Sequence, residues 1–389
     1  MLDVWPALPL VIASYGNYPT IHNIVAALEC TDRVCEIHLT TVPRSDLGII
    51  GAIQRPFPEL TNLELSSDET VAVVPDSFLG GSAPRLEVLS LYGIPFPGLP
   101  KLLMSTTHLV NLELMNIPHS GYISPDAMVT ILSTLTSLSF LWLGFQSPRS
   151  FPDPASRRLF SSTRSVLHSF THFRFEGVSK YLEDLVARID VPHLNTLHIT
   201  FFNDIVFDTP QLARFISHTP MWKALKNAYI VLSDRAARVE FSSSTTRSME
   251  FNVEILCRGL DRQISSLEQV CASCLPPLSI LEDLCFYENA LLLQPNWKDS
   301  IENRQWLELL RPFMAVKNLY LFENFASHIA PALQELVEGR TTEVLPALQN
   351  IYLKGLESSR SVQENIGRFF AARQVANHPP IGISPWTNS

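Results

Sequence analysis

The chain is 389 residues long, with 38 acidic against 29 basic side chains and a formal net charge of −9. Hydrophobic residues make up 46% and charged residues 17%, which excludes an intrinsically disordered chain, and the acidic balance excludes a surface built to coat nucleic acid. Length alone predicts two or three ordinary domains unless a repeat replaces them.

Residues 1–30 read as an N-terminal capping segment. Met1 to Ser14 contain no Lys or Arg, include Asp3, and are broken by Pro6 and Pro9, so they lack the basic start and unbroken apolar run of a secretory signal. No window approaches the ~20 apolar residues of a membrane span. The expectation is a chain of the cytoplasm or nucleus that meets no membrane and no nucleic acid.

From about residue 31 to 375 one phrase recurs: apolar, two variable, apolar, one variable, apolar. It begins as Val34/Ile37/Leu39 and continues as Leu60/Leu63/Leu65, Leu86/Leu89/Leu91, Leu109/Leu112/Leu114 and Leu138/Leu141/Leu143. Phe170/Phe173/Phe175 and Leu194/Leu197/Ile199 come next, then Leu281/Leu284/Phe286, Val316/Leu319/Leu321 and Leu348/Ile351/Leu353. The third anchors up to Ile199 lie 26, 26, 23, 29, 32 and 24 residues apart, and those after Phe286 lie 35 and 32 apart. Leucine-rich repeats run about 20–29 residues per unit, so the early copies fit and the later ones carry insertions. Residues 200–280 are irregular, although Tyr229–Leu232 and Phe251–Ile255 each read as a strand.

The residues just past the anchors repeat as well. Leu91-Tyr92-Gly93-Ile94-Pro95 aligns with Leu114-Met115-Asn116-Ile117-Pro118, and Phe175-Glu176-Gly177 and Leu353-Lys354-Gly355 echo the same glycine. A chain leaving a strand sharply needs a residue that tolerates a left-handed conformation. Helix signals fill the gaps. Ser124-Pro125-Asp126 opens Ala127 to Leu135, Thr209-Pro210 opens Gln211 to Ser217, and Ser179 is positioned to cap Lys180 to Ile189. Asn303 precedes Trp306, Leu307, Leu309 and Leu310, and Ser361 precedes a final helix through Phe369 and Phe370. Strand, turn and helix in alternation predict an α/β leucine-rich-repeat solenoid: a ribonuclease-inhibitor-like horseshoe with a parallel sheet on its concave face and helices on its convex face. A doubly wound nucleotide-binding domain is the rival, but no GxGxxG or GxxxxGK[ST] comes after a strand.

Three stretches interrupt the pattern. Gln146 to Ser165, with Pro148, Pro152, Pro154, Arg149, Arg157, Arg158 and Arg164, reads as an exposed basic loop on the helix side. Asp234 to Met249, with its Ser242–Thr246 run, reads as a weak point in the repeat. The tail at 376–389 is expected to pack poorly. Of six cysteines, Cys271 and Cys274 have CxxC spacing, yet no second ligand pair lies nearby and the motif ends a helix rather than opening one. Buried structural thiols are the expectation.

Several longer phrases carry a resemblance. They are Pro75–Pro84, Gly93-Ile94-Pro95-Phe96-Pro97, Gly121-Tyr122-Ile123-Ser124-Pro125, Gly144-Phe145-Gln146-Ser147-Pro148, Val178–Asp190 and Pro276-Pro277-Leu278-Ser279. With these the sequence, from about Pro9 to Trp386, resembles the F-box and leucine-rich-repeat proteins of mushroom-forming fungi. In that family an F-box before the repeats docks the Skp-type adaptor of a cullin ubiquitin ligase, and the repeats hold the substrate. No Leu-Pro-led amphipathic three-helix segment stands before Trp5. The resemblance therefore implies the recognition half, with adaptor binding expected only of a form that carries an F-box.

No GxSxG elbow, HExxH, EF-hand loop or paired-His spacing occurs, and Cys30 and Cys35 near His22 and His38 read as ordinary cap residues. No catalytic site, cofactor or metal is expected, and a cryptic hydrolase is disfavoured. The repeat instead predicts which side chains face a partner, since residues between the buried anchors point to the opposite face. These include Glu64, Glu113, Trp142, Arg174, His198, Cys285, Tyr320 and Tyr352, with Tyr92, Met115, Glu176, Tyr287, Phe322 and Lys354 beside them. Tyr287, Tyr320, Phe322 and Tyr352 have the composition of an interface hot spot, although mutual packing accounts for them equally well at the level of sequence. Trp142 is expected to be partly buried, and Glu64 and Glu113 suit a basic partner or simply a solvated face. The reading is a protein-recognition scaffold, either the substrate-binding part of an F-box-type receptor or a stand-alone scaffold or inhibitor. The identity of the bound protein is not legible.

Overall fold

Leucine spacing becomes a parallel sheet in residues up to 195. The computed structural model describes residues 8–15, 21–40, 53–67, 73–147, 164–202, 207–243, 250–273, 275–287, 301–336, 344–354, 360–375 and 382–385. Cys274, Gly355, most of the Gln146–Ser165 insertion and part of the serine-rich stretch lie outside the described residues. The chain divides into two compact units, Met1–Asn195 and Thr196–Ser389.

Unit 1 lays down β1 (Leu10–Tyr15), β2 (Val34–Thr40), β3 (Asn62–Ser66), β4 (Val88–Tyr92), β5 (Asn111–Ile117), β6 (Phe140–Phe145) and β8 (His172–Gly177), each parallel to the next. A small separate pair, β7 (Ser165–Val166) with β9 (Ile189–Asp190), is also parallel. The anchors Leu63, Leu65, Leu89, Leu91, Leu112, Leu114, Leu141, Leu143, Phe173 and Phe175 are at most 4% exposed, while the residues between them on each strand are not buried. Each such leucine contributes about 1.5–3 kcal/mol by leaving water, and a one-residue slip would turn the whole set outward, so the register is strongly fixed. Helices cover the anchor side. Tyr181, on the helix Ser179–Val186, is fully buried against Phe145 (4.8 Å) and Phe175 (5.9 Å between ring centroids). The face opposite the helices is the open face.

The aligned turns behave as their sequences predict. Gly93 and Asn116 both adopt left-handed backbone, at φ 67° and 52°. Gly93 has no alternative, because a Cβ there would lie 2.3 Å from the Ser67 carbonyl oxygen. Ser124 accepts a hydrogen bond from the Ala127 amide at 3.2 Å and caps Pro125–Thr134 as expected. Ser179, by contrast, is the first helical residue, and Val178 holds the cap position.

Unit 2 contains β10 (Thr196–Phe202), β11 (Asn227–Leu232), β12 (Ala236–Ser242), β13 (Phe251–Leu256), β14 (Asp283–Tyr287), β15 (Asn318–Phe322), β16 (Asn350–Lys354) and β17 (Gly382–Pro385). Its sheet order is β10-β13-β12-β11-β14-β15-β16-β17. β12 is antiparallel to both neighbours, which departs from the expected all-parallel repeat. Within the stretch read as a weak point, Ala236–Ser242 form a strand in which Ala237, Val239 and Phe241 are all 0% exposed. An up-down-up meander leaves its outer strands pointing the same way, so β13 still pairs parallel with β10 and β11 with β14. Ser233 makes the hairpin turn, its hydroxyl accepting from the Ala236 amide at 3.1 Å.

Helices again cover one side. Trp306 of Asn303–Leu310 and Phe325 of Glu323–Glu335 bury their rings against Phe286, at 6.2 and 5.3 Å. In the last helix, Arg360–Val375, Arg373 is fully buried and donates to the Leu345 and Pro346 carbonyls, each at 2.9 Å. Gly382–Pro385 pairs in register with β16, although its described side chains stay exposed.

Candidate functional site

The open face of unit 2 is built from three rows of side chains, each crossing the strands in register. The first runs Asn227, Asp283, Asn318, Asn350. Asn318 donates through its amide to Asp283 Oδ1 at 2.7 Å, and Asn350 donates to Asn318 Oδ1 at 2.8 Å. This ladder satisfies polar groups at the strand starts and fixes where the next row begins.

The second row is the longest. It runs His198, Asn252, Glu240, Tyr229, Cys285, Tyr320, Tyr352 across seven strands. Tyr320 and Tyr352 stack with centroids 4.6 Å apart and planes 10° from parallel. Burial, with Asp283 close by, pushes the Tyr320 hydroxyl up to about 12, so it remains a neutral donor at physiological pH. Cys285 faces this side as expected but is only 4% exposed, covered by its neighbours rather than available to a partner. The third row includes Thr200, Glu254, Arg238, Val231 and Tyr287. Phe322 and Lys354 extend this side onto β15 and β16, where they pair. Tyr287 meets Phe322 edge-on at 5.2 Å, and the Lys354 ammonium lies 4.7 Å above the Phe322 ring. The aromatic cluster thus stands outside the core, half-buried and packed pair by pair.

Strand alternation in the sequence assigns His198, Tyr287, Tyr320, Phe322 and Tyr352 to this face, and the structure puts His198, Tyr320 and Tyr352 on one row. Sequence reasoning missed Tyr229, Arg238, Glu240, Asn252 and Glu254. Arg238 and Glu240 form an ion pair at 3.0 Å, and Thr200 donates to Glu254 at 3.4 Å. The alternation of Ala237, Val239 and Phe241 was the signal that would have placed Arg238 and Glu240 on the open side.

Unit 1 has its own open face. Its central row runs His38, Glu64, Ser90, Glu113, Trp142, Arg174. His38 is held between two carboxylates, Glu36 and Glu64, each 3.1 Å from a ring nitrogen. Burial alone would lower its pKa, but the bonds from Glu36 and Glu64 outweigh that and raise it. Asn111 donates to Glu113 at 3.2 Å. The Arg174 guanidinium lies over Trp142 at 5.1 Å and beside Phe140 at 5.9 Å, while His172 stacks on Phe140 at 6.2 Å. Trp142 is half-buried, as expected.

Among the described residues no group of three or more His, Cys, Asp or Glu is placed to hold a metal ion, and no helix is long and apolar enough to cross a membrane. The Cys257 thiol is pushed by burial up to about 11, which makes it a poor nucleophile, and Cys271 is buried as well. Among the described residues the open faces present aromatic, amide and charged groups on paired strands, which can contact another molecule.

The two units share the architecture of leucine-rich-repeat proteins: in-register strands with buried aliphatic anchors, sharp turns, and helices on one face. No protein-family profile matches the sequence, and no curated protein does. Sixteen solved chains match. One is the leucine-rich repeat-containing protein LegL7 from Legionella pneumophila, 14% identical over 92% of this chain and 96% of that one, with a TM-score of 0.33.

Proposed function

We infer that this protein is a recognition scaffold for another protein, and that it serves as the substrate-binding part of an F-box-type receptor of a cullin ubiquitin ligase in the cytoplasm or nucleus. The observation that carries the first half is the register. The variable residue of each repeat lands beside its counterpart on the next strand, so that His198 through Tyr352 form one row with stacked tyrosines at its end. Large, rigid aromatic side chains lose little conformational freedom on binding, which is why they dominate interface energetics. The ligase half is supported by the phrases from Pro75 to Ser279 that resemble F-box and leucine-rich-repeat proteins. The mechanism is placement: the sheet holds a substrate through its open face, and the chemistry belongs to other subunits.

The test has two arms. Partner capture by the wild-type chain is compared with the Tyr320→Ala/Tyr352→Ala variant. Loss of capture with a melting temperature little changed supports recognition, and unfolding of the variant would assign the pair to structural packing. Any native form extended before Met1 is then tested for direct binding to a Skp-type adaptor. Failure of every such form would leave a stand-alone scaffold or inhibitor and remove the ligase assignment.

A further inference from the structure

The open face of unit 1 specifies the chemistry of what it meets. Glu64, Ser90 and Glu113 are register partners on β3, β4 and β5. Adjacent strands lie about 4.8 Å apart, so the two carboxylate-bearing strands are ~10 Å apart with only a serine hydroxymethyl between them. Val88 and Tyr92, two residues before and after Ser90 on β4, flank the gap on the same face, and Tyr92 is 37% exposed. The result is a slot with an acidic side on each flank and an aromatic ring at one end.

The charges around it are uneven. The strand residues of this face include Glu36, Glu64, Glu113 and Glu176 against Arg174 as the permanent cation. Arg174 is drawn onto Trp142, at the far end of the row from Glu64. Among the described residues neither Glu64 nor Glu113 pairs with a lysine or arginine. Glu64 is bonded from one side by His38, Glu113 by the Asn111 amide, and the Glu64 side chain remains 44% exposed. Glu64 is held from β2 by His38 and Glu113 from along its own strand by Asn111, and both keep acceptor capacity, since each ionised carboxylate offers about four lone-pair directions.

We propose that this face binds an extended basic segment of a protein partner, with one arginine or lysine side chain seated over Ser90 between Glu64 and Glu113. This rests on the protein-recognition reading and names the partner's chemistry. A guanidinium is the better fit: its fork reaches both carboxylates while its flat face lies against Tyr92. The remainder of the segment runs over Trp142 and Met115, whose apolar surfaces stand on the same face. A bare acidic surface would attract counter-ions from any direction, whereas the slot demands one cation at one position.

The probe is a fluorescein-labelled extended peptide, Gly-Ser-Val-Arg-Val-Ser, and its twin with citrulline, which keeps the shape of arginine without the charge. Binding to the full chain is read by fluorescence anisotropy at low and at physiological salt. The wild-type protein is expected to prefer arginine by about ten-fold, the scale of one charge-assisted contact pair. Glu64→Gln/Glu113→Gln removes that preference. So does Ser90→Lys, which puts an ammonium into the slot and keeps both carboxylates paired, covering the case in which the double variant fails to fold. Glu29→Gln/Asp190→Asn removes the same net charge at exposed positions elsewhere and leaves the preference intact. Equal affinity for the two peptides, an equal loss in the Glu29/Asp190 control, or unimpaired binding by Ser90→Lys would each overturn the proposal. Because the probe acts on unit 1, its failure leaves the Tyr320/Tyr352 test of recognition standing, and failure of that test leaves this one readable.

Discussion

Replacing Gly93 by alanine puts a methyl group 2.3 Å from the Ser67 carbonyl oxygen, well inside contact distance. Two costs add. A side chain at φ 67° incurs about 1–2 kcal/mol for the left-handed backbone itself. The Ser67 peptide must also move, and its amide donates to the Tyr92 carbonyl at 2.9 Å while the Gly93 amide donates to Met115 at 2.9 Å. Losing one of these links between strand ends costs about 1 kcal/mol, which brings the expected destabilisation to about 2–3 kcal/mol. Asn116→Ala is the internal control. It occupies the equivalent turn at φ 52°, already carries a Cβ, and should lose no more than ~1 kcal/mol as the side chain that tolerates this conformation is removed. Urea midpoints give the order. Hydrogen exchange at Ser67, Tyr92 and Gly93 localises the effect, since a chain of two compact units need not unfold in one step. A Gly93→Ala cost equal to or below that of Asn116→Ala would refute the claim that the shared turn is set by this close approach.

Buried charge gives two further expected outcomes. His38 has its pKa raised above 6.5 in the folded state, so its ion pairs with Glu36 and Glu64 stabilise fully below that value and are lost as pH climbs through the folded one. Exchange protection of β2 and β3 should therefore fall from pH 6 toward pH 8, and His38→Gln should flatten that dependence; an unchanged slope would contradict it. Arg373→Met removes the donors to the Leu345 and Pro346 carbonyls and should cost about 1–3 kcal/mol, read as lost exchange protection across 344–354. Full retention of protection there would show that the guanidinium holds nothing.

Much of the fold was readable from residues alone, and the reason is geometric. A pleated strand alternates its side chains strictly, so Leu63, Leu65, Leu319 and Leu321 announced both the strands and the face left open. The turn residues Gly93 and Asn116 were legible because a left-handed position admits few residue types. β12 was not, since Ala236 and Ala237 bury little area and Arg238 and Glu240 made the stretch look solvated, although their neighbours Val239 and Phe241 are fully buried. The helix Glu323–Glu335 was masked by Pro331 in its interior. Cys285 was placed on the open face by period yet is only 4% exposed, because period gives a face and not the height of neighbouring side chains. The site was legible to the same extent. Sequence assigns Glu64, Trp142 or Tyr352 to a face, but only the pairing of strands reveals that Glu64 and Glu113 bracket Ser90, or that His198 begins the row that ends in stacked tyrosines.

A partner of this protein should meet the strands and not the helices. Photo-crosslinking amino acids placed singly at Trp142 and Tyr352 on the open faces, and at the exposed Met104 and Met314 outside the strands, decide it with the captured partner present. Crosslinks are expected from Trp142 or Tyr352, with none above background from the two methionine positions. Crosslinks confined to Met104 or Met314 would contradict recognition through the sheet.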